Sequence, residues 1–382
     1  MLPSLANHPN IKLTAAADLR EEARERFRNE FGAEAFESVD ELCRSSVVDA
    51  VYIATPHEFH AEHVIVAAGH GKHIIVEKPM ALTLSDCAAM VEAADRAGVR
   101  LLVGHTHSFD PPVLRMREIV RSGELGRLGM ITTLNYTDFL YRPRRPEELD
   151  TTRGGGIVFN QVPHQVEIVR LIGGGLVRSV RASVGRWDPA RPTEGSLAAF
   201  LEFEDGTPAT IVYSGYDHFL SDELHFWVGE GGDRSSPRQH GQARRELANI
   251  QSAEDEAALK AATGYGGARQ KRPNPRSVAA ERHQPHFGIT IVSCEGGDLR
   301  QSADGIFIYD GAGKREVPLP LGRAAPDKGK VLDEFYDAVV NGAQLVHDGR
   351  WGLATLELSL AILESARERR EIPLRHQVPV PD

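Results

Sequence analysis

The sequence predicts an α/β domain with a doubly wound parallel sheet, followed by an α+β domain built on an open, largely antiparallel sheet. Three observations predict this arrangement. In residues 1–110, short apolar runs alternate with helical stretches, which is typical of right-handed βαβ units. From residue 111 onwards, longer strand-like runs are joined by hairpin-like turns such as Glu204-Asp205-Gly206. The 382 residues also suffice for two domains that each bury a core.

The first domain is predicted from strand and helix signals in order along the chain. An apolar run from Ile11 ends in the acid Asp18, and Pro56 stops a second buried run. Gly69 stands at the end of a helical stretch, where glycine is favoured. The signals predict strands over 11–18, 48–56, 73–76 and 100–104, and helices over 21–31, 57–69 and 85–97, the last capped by Ser85. This order is that of a Rossmann-type domain.

One expected part of such a domain is missing from the sequence. No Gly-x-Gly-x-x-Gly occurs in the chain. A ribose-binding acid follows that phosphate loop by ~20 residues, so Asp18 would place the loop and its strand before Met1. The opening Met1–Leu5 then resembles the tail of the first helix. We expect an in-frame extension upstream of Met1, since true loss would remove a central strand and the pyrophosphate site together.

The second domain is predicted over residues 111–382. Its strands are expected to be long, and two helices close the chain. The strands are predicted at 130–139, 177–184, 197–203, 208–214, 224–228, 289–292 and 305–309, and the helices at 113–120, 331–341 and 351–369. Residues 229–284 are rich in Gly, Arg, Gln and Pro, so we expect a flexible insertion there, with one helical piece at 254–262.

Composition and charge argue against several classes of partner. The formal net charge is −10, with 44 basic against 54 acidic residues, which disfavours a nucleic acid or an anionic membrane as partner. No apolar run approaches the ~18 residues of a membrane span, and the amino terminus lacks the features of a signal peptide. Cys43, Cys87 and Cys294 are isolated, which favours unpaired thiols in a reducing cytoplasm.

The most specific signal runs from Ala67 to Met80 as Ala-Ala-Gly-His-Gly-Lys-His-Ile-Ile-Val-Glu-Lys-Pro-Met. It predicts a buried strand with a Glu-Lys-Pro corner at its carboxyl end, where open α/β sheets bind ligands. A lysine at a strand end is ordinarily solvated. The whole run, however, resembles the signature of the Gfo/Idh/MocA family of nicotinamide-dependent oxidoreductases. By that resemblance Lys78 donates to the reacting hydroxyl and stabilises its alkoxide, while Glu77 fixes the lysine or ties down the following turn.

The resemblance implies NAD as the cofactor. A carboxylate at the end of the second strand accepts hydrogen bonds from the ribose hydroxyls and repels a 2′-phosphate, which assigns Asp18 to NAD. Its alternative role is a helix cap, and Arg20 leaves NADP possible. Thr55 and Pro56 end the next strand, where the backbone of the family passes beside the cofactor. His60 matches a family histidine near the same cleft.

No metal site is predicted. His57, His60 and His63 follow one another at three-residue intervals, as a metal triad would in one dimension. On a helix that spacing spreads three side chains over too wide an arc to converge on one ion.

A second family signature begins with three glycines at Gly154 and ends at Glu167. Asn160 and His164 lie one helical turn apart in it, so both can face the cleft. His164 fits the general base, although a lone helical histidine is usually structural. The family usually has Asp where Asn160 stands. An amide cannot titrate, so a Lys–Asp–His constellation is in doubt, and a neutral or anionic substrate oxygen is favoured at that point.

A third candidate cluster is basic. Arg142, Arg144, Arg145 and Arg153 are crowded beside the second signature in a chain of charge −10. A solvated loop would explain them, and guanidinium recognition of substrate carboxylates is the alternative. His107, at the end of a predicted strand, could also line the substrate side.

We therefore expect an NAD-dependent dehydrogenase of a small, anionic, cyclic diol, acting as a cytoplasmic homo-oligomer. The Leu-Pro-Ser-Leu opening, the Asn-Gln-x-x-His-Gln motif and Pro-His-Phe-Gly at 285–288 resemble the branch that oxidises 4,5-dihydro-4,5-dihydroxyphthalate, a cis-dihydrodiol, to 4,5-dihydroxyphthalate in phthalate degradation. A sugar or inositol dehydrogenase of the same family is a second possibility. A non-catalytic sensor that keeps only the fold is a third.

Overall fold

A computed structural model of the chain describes residues 1–265, 267, 282–321 and 328–381. Its first part holds five strands in two parallel sheets, β1–β2 and β3–β4–β5, with helices between the strands. The strands are β1 (Ala15–Ala17), β2 (Glu34–Phe36), β3 (Ala50–Ile53), β4 (His73–Val76) and β5 (Leu101–Val103). The helices are α1 (Leu2–Asn7), α2 (Glu21–Phe31), α3 (Val39–Arg44), α4 (His60–Gly69) and α5 (Leu84–Ala97).

Strand β4 is the centre of the three-stranded sheet. It pairs in parallel with β3 on one side and with β5 on the other. Its residues Ile74, Ile75 and Val76 are all buried, as expected for a strand covered on both faces. The corner formed by Glu77 and Lys78 directly follows the carboxyl end of β4.

The second part is built on a nine-stranded sheet in the order β13-β12-β11-β10-β6-β9-β8-β7-β14. Neighbouring strands are antiparallel, except that β6 and β9 are parallel. The strands are β6 (Leu128–Tyr136), β7 (Val177–Gly185), β8 (Ser196–Phe203), β9 (Pro208–Ser214), β10 (Ile289–Cys294), β11 (Gly297–Gln301), β12 (Gly305–Asp310), β13 (Gly313–Pro318) and β14 (Ile372–Pro373).

Seven further helices accompany this sheet in the described ranges: α6 (Pro111–Ser122), α7 (Gly156–Asn160), α8 (Val162–Gly173), α9 (Gln242–Leu247), α10 (Ala253–Thr263), α11 (Gly329–Val340) and α12 (Gly349–Glu368). Helices α6, α8 and α12 pack on one face of the sheet. The other face exposes Met130 and Phe200. The predicted fold class, a Rossmann-type parallel sheet followed by an open sheet domain, is confirmed.

Several predicted elements are corrected. The stretch predicted as a strand at 224–228 instead contains the 3₁₀ turn Ser221–His225. Phe226 and Trp227 have φ of 68° and 57°, which no strand tolerates. Strands β11 and β13 were not predicted, because their polar sequences carry little apolar pattern. Helix α5 is capped by the side chain of Thr83 rather than by Ser85.

The predicted division at residue 110 separates segments that pack together. Val331, Leu332 and Phe335 of α11 form one apolar core with Ile75 and Leu102 of the first sheet. Helix α11 thus covers the first sheet, although it belongs by sequence to the predicted second domain. The domain bounds stay a proposal.

The predicted insertion at 229–284 is only partly described. Its first half holds α9 and α10, and α10 matches the helical piece expected at 254–262. Residues 266 and 268–281 lie outside the described residues. Across the described ranges, no helix is both long and apolar enough to cross a membrane.

Candidate active site

The corner after β4 holds two charged side chains in fixed positions. The Glu77 carboxylate accepts a short hydrogen bond from the hydroxyl of Tyr52 and one of 3.3 Å from the Lys78 main-chain N–H. The Lys78 ammonium donates to the main-chain carbonyl of Asn160 at 2.7 Å. Glu77 therefore ties down the corner, as one of its two predicted roles required, and Lys78 points across to the second part of the chain.

Burial and nearby charges set the electrostatics of Lys78. Burial lowers the pKa of this ammonium, while the carboxylates of Glu77 and Glu230 oppose that effect. The positive charges of Arg144 and Lys328 lower the pKa further. The ammonium thus stands among two carboxylates and two cations, and it keeps donors free because one main-chain carbonyl occupies only one of its three N–H groups.

The glycine turn before α7 sets the position of Asn160. Gly154 and Gly156 have φ of 80° and 79°, in the left-handed region that glycine adopts without strain. A Cβ on Gly156 would stand 2.2 Å from the Glu194 Oε1. The Asn160 side-chain amide donates to the carbonyls of both glycines, at 3.0 and 2.8 Å. Both amide hydrogens are therefore engaged in holding the turn.

Asn160 and His164 do not share one helix, contrary to the prediction. Helix α7 ends at Asn160 and α8 begins at Val162, because Gln161 between them has φ of −120° and ψ of −44°. Both residues still lie near Lys78. The Lys78 ammonium bonds to Asn160, and its charge lowers the pKa of His164.

The imidazole of His164 packs against two other rings. Its imidazole centroid lies 4.8 Å from those of His107 and Phe287. Burial, and then the charge of Lys78, holds the pKa of His164 well below its ordinary value, so the ring is neutral at pH 7. Its Nδ1 is buried without a hydrogen-bond partner among the described residues. A neutral imidazole with an unoccupied nitrogen can accept a proton.

His107 is oriented by a carboxylate. Its Nδ1 donates to the Asp110 Oδ2 at 2.9 Å, since a carboxylate can only accept. This bond holds the imidazole ring in one orientation. The sequence-predicted His107 thus lies beside His164, and its partner Asp110 was not predicted.

Asp18 and Arg20 form a tight pair at the end of β1. The Asp18 carboxylate accepts from the Arg20 main-chain N–H, Nε and Nη2 at 2.9, 3.0 and 2.9 Å. Burial raises the pKa of Asp18, but these bonds outweigh it and keep the pKa below its ordinary value. Arg20 also donates to the main-chain carbonyl of Tyr265 at 3.3 Å. Asp18 is thus ionised and half-exposed, as a ribose-binding acid requires.

Thr55, Pro56 and His60 lie together at the end of β3. The His60 ring nitrogens stand 2.9 Å from the Thr55 carbonyl and 3.0 Å from the Pro79 carbonyl. His60 is fully buried, so it links the end of β3 to the turn after Lys78 and does not line the cleft surface. The residues predicted to bind the cofactor thus lie at the ends of β1, β3 and β4. Within the described ranges, no group of three or more His, Cys, Asp or Glu is arranged to hold a metal ion.

Arg144 has a structural environment. It is buried, it donates through Nε and Nη2 to the Phe139 carbonyl at 3.2 and 2.8 Å, and its guanidinium stacks 3.8 Å from the Phe139 ring. Its main-chain N–H donates to Glu256 of α10, and its Nη1 lies 3.4 Å from Glu148. These contacts account for Arg144 within the fold, and its predicted contact with a substrate stays a prediction.

The other three predicted arginines are more exposed and already ion-paired. Arg142 pairs with Asp138 and Glu230, Arg145 with Glu147 and Glu148, and Arg153 with Glu58. Several of these partners stand three or four residues away, so sequence spacing could have indicated them. Substrate binding by Arg142, Arg145 and Arg153 stays a prediction.

Two cavities flank Glu230 in the described part of the chain. The acidic cavity, about 310 Å³, is lined by Asp138, Asp222, Glu230 and Glu246 together with Arg142 and His286. The basic cavity, about 340 Å³, is lined by Arg115, Arg282, Lys328 and Lys330, with Phe109 and Leu114 on its apolar wall and Asp110, Glu118 and Glu230 at its edge. Sequence reasoning missed Glu230 and Lys328, because both lie in stretches without a motif.

Two sequence models of known families match the chain. The model described as "Oxidoreductase family, NAD-binding Rossmann fold" matches residues 1–105, and the GFO/IDH/MocA C-terminal domain model matches residues 113–231. Together they cover more than half of the chain.

Individual proteins are similar over nearly the whole length. The 1-carboxy-3-chloro-3,4-dihydroxycyclohexa-1,5-diene dehydrogenase of Comamonas testosteroni is 42% identical over 370 residues, covering 96% of this chain and 91% of the relative. The crystal structure of a Bordetella bronchiseptica RB50 protein is 48% identical, with a TM-score of 0.90 and coverage of 98% and 96%. An Agrobacterium radiobacter oxidoreductase in complex with NAD⁺, L-tartaric acid and magnesium shares the fold, at 18% identity, a TM-score of 0.69 and coverage of 97% and 93%.

Proposed function

The chain belongs to the GFO/IDH/MocA family of oxidoreductases and is an NAD-dependent dehydrogenase, and on that basis we propose that its substrate is a ring-carboxylated cis-dihydrodiol. The first candidate is 4,5-dihydro-4,5-dihydroxyphthalate, oxidised to 4,5-dihydroxyphthalate in phthalate degradation. The name of the Comamonas relative describes a cyclohexadiene that carries a carboxyl group and two hydroxyls, which supports this class.

The residues at the meeting point of the two parts fit the chemistry. Bound NAD supplies a nicotinamide ring that accepts a hydride. Lys78 donates a hydrogen bond to the hydroxyl oxygen on the carbon that loses the hydride, and its positive charge stabilises the alkoxide. The neutral His164 accepts the proton of that hydroxyl, while His107 packs against its ring. The resulting ketone tautomerises to an aromatic catechol, which drives the reaction forward.

The cofactor site is assigned to the ends of the parallel strands. Asp18 would accept from the ribose hydroxyls, and Thr55, Pro56 and Glu77 would border the dinucleotide at the ends of β3 and β4. His60 would support this border from below through its two main-chain contacts. The pairing of Arg20 with Asp18 favours NAD, since it withholds the guanidinium from a 2′-phosphate.

The single observation that carries the substrate class is the basic cavity. Each of the three acids that line this cavity already has a basic or donor partner: His107 for Asp110, Arg115 for Glu118, and Arg142 for Glu230. Lys328 lines this cavity, and its charge lowers the pKa of both Lys78 and His164. A substrate carboxylate placed there would meet a cation beside the catalytic pair.

The experiment is a substrate panel with one variant. Wild-type protein with NAD is assayed on phthalate cis-4,5-dihydrodiol, on an uncharged benzene cis-dihydrodiol and on myo-inositol. Lys328→Gln should raise KM for the phthalate diol by about tenfold or more and leave the uncharged diol nearly unchanged. Turnover of inositol alone would reject the proposal. Equal effects of the variant on both diols would reject the role of the basic cavity.

A second candidate is a polyol dehydrogenase. The acidic cavity favours it, because carboxylates such as Asp138 and Asp222 accept hydrogen bonds from neutral hydroxyls and repel anions. An inositol 2-dehydrogenase of Rhizobium meliloti is 24% identical over 97% of this chain. The same panel distinguishes the two candidates.

We also propose that the protein is a cytoplasmic homo-oligomer. The uncovered face of the nine-stranded sheet carries Phe200 beside Thr210, which in turn pairs with Thr132. Met130 and Phe200 on this face are 42% and 47% exposed, an apolar surface that a second copy would bury. Light scattering would give the oligomeric state.

The three cysteines of the protein, Cys43, Cys87 and Cys294, are all free, which suits a reducing compartment.

A further inference from the structure

Glu230 is a carboxylate that lines two cavities and has no role in the sequence signatures. It forms the wall between the acidic and the basic cavity, since it lines both. Its Oε1 is buried and makes no hydrogen bond, and the nearest cation, the Arg142 Nη2, stands 3.6 Å away. The side chain as a whole is 36% exposed, so the rest of the carboxylate faces the cavities.

The charges around Glu230 keep it ionised. Burial raises the pKa of this carboxyl, but Arg142, His107 and Lys78 outweigh burial and keep the pKa below its ordinary value. The interaction is mutual, because Glu230 also opposes the burial effect on the pKa of Lys78. An ionised acceptor thus stands within electrostatic reach of Lys78 and His107.

The other polar groups beside Lys78 are committed elsewhere. The Glu77 carboxylate accepts from Tyr52 and from the main chain of Lys78. The Asn160 amide hydrogens are used by Gly154 and Gly156. A vicinal diol brings two hydroxyls to the site, and only one can lie between Lys78 and His164. The second hydroxyl needs an acceptor, and the exposed part of the Glu230 carboxylate lines the same cavity as Asp110, the hydrogen-bond partner of His107.

We propose that Glu230 accepts a hydrogen bond from the non-reacting hydroxyl of the substrate, and so selects vicinal diols over mono-alcohols. This inference rests on the proposed function, since it assumes a cyclic diol at Lys78 and His164. The contact is charge-assisted, and hydrogen bonds to a charged group are stronger than those between neutral groups. It requires no change in the proton or hydride that leaves.

Binding of two stable analogues tests the inference separately from turnover. Calorimetry with NADH present, which cannot accept a hydride from an alcohol, compares cis-4,5-dihydroxycyclohexane-1,2-dicarboxylate with 4-hydroxycyclohexane-1,2-dicarboxylate, which lacks one hydroxyl. Wild-type protein should bind the diol about tenfold or more tightly than the mono-alcohol. Glu230→Gln should bind the two almost equally, and its affinity for the mono-alcohol should change little.

Asp222→Asn is the matched control. Asp222 lines the same acidic cavity, but its carboxylate already accepts a 2.6 Å hydrogen bond from Ser235, so its variant should keep the diol preference. A thermal unfolding scan of each variant checks the fold. Equal binding of both analogues by the wild type, or an unchanged preference in Glu230→Gln, would overturn the inference. Absence of dihydrodiol turnover by the wild type would instead reject the proposed function.

Discussion

The ammonium of Lys78 donates a 2.7 Å hydrogen bond to the main-chain carbonyl of Asn160. This bond joins the carboxyl end of β4 to the end of α7, and so it connects the cofactor-binding sheet with the second glycine signature. A carbonyl carries no proton to exchange and no charge to neutralise. The bond therefore aims the ammonium and leaves its remaining donors for a substrate oxygen.

Lys78→Met should lower kcat by roughly a hundredfold or more, because it removes both the donor and the charge that stabilise an alkoxide. Steady-state kinetics at saturating NAD and substrate measure the effect. Lys72→Met is a matched control. The Lys72 ammonium also donates to main-chain carbonyls, those of Ser45 and Val48, but just before β4 begins. Near-normal turnover by Lys78→Met would remove Lys78 from the mechanism.

Arg144→Met should destabilise the fold rather than weaken substrate binding. It leaves the buried carbonyl of Phe139 without its donor, which costs about 1–3 kcal/mol in the free energy of unfolding. Denaturant titration measures this loss. Arg153→Met is the control, because its side chain is 53% exposed and its ion pair with Glu58 spans 3.5 Å, so a change below about 0.5 kcal/mol is expected. An Arg144 variant that keeps its stability but raises KM would restore the substrate role.

Buried histidines should make the fold sensitive to acid. Burial lowers the pKa of His57, His105 and His225 to about 4 and that of His286 to about 3. In the unfolded chain the pKa of these rings is about 6.5. Between about pH 4 and 6.5 the unfolded state therefore binds more protons than the folded state. The free energy of unfolding should therefore be highest above pH ~6.5 and fall as the pH drops below it.

Denaturant titrations at about pH 7.5 and about pH 5 test that expectation. In His105→Leu the free energy of unfolding should depend less on pH, because leucine does not titrate. The substitution breaks no hydrogen bond, since neither ring nitrogen of His105 makes one. His70→Gln, a change at an exposed histidine, is the control. A free energy of unfolding that rises on acidification would show that other groups dominate.

Local signals predicted the parts of the site that depend on one strand or one turn. The apolar run that ends at Glu77 and Lys78 fixed both the strand and its corner, and β4 has the predicted bounds. The break at Gln161 between α7 and α8 was not predicted, although Pro163 in the first turn of α8 is a helix-start signal that could have indicated it. Glu230 could not be found either, because its importance comes from Lys78 and His107, which are distant in sequence.

The arginines show the same limit from the opposite side. Their density in sequence predicted anion binding, but the structure pairs each of them with a carboxylate. Glu148 is four residues from Arg144, and this spacing alone indicates an ion pair. Glu58, the partner of Arg153, lies in the other sheet domain and becomes visible only in the fold. A basic cluster in a sequence therefore indicates a ligand only where its arginines are not already paired with acids of the same chain.

Asp18→Asn should shift the cofactor preference from NAD toward NADP. The two oxygens of the Asp18 carboxylate accept hydrogen bonds from Nε and Nη2 of Arg20. The asparagine amide has a single acceptor oxygen and no negative charge, so it cannot reproduce this pair. The variant would lose the acceptor for the ribose hydroxyls and free the guanidinium for a 2′-phosphate. Calorimetric dissociation constants for both cofactors should show the NAD-to-NADP preference falling by about tenfold or more. Asp40→Asn, which changes an acid paired with Arg44 on α3, should leave that preference unchanged. If Asp18→Asn also left it unchanged, the Asp18–Arg20 pair would be a helix cap and the ribose site would lie elsewhere.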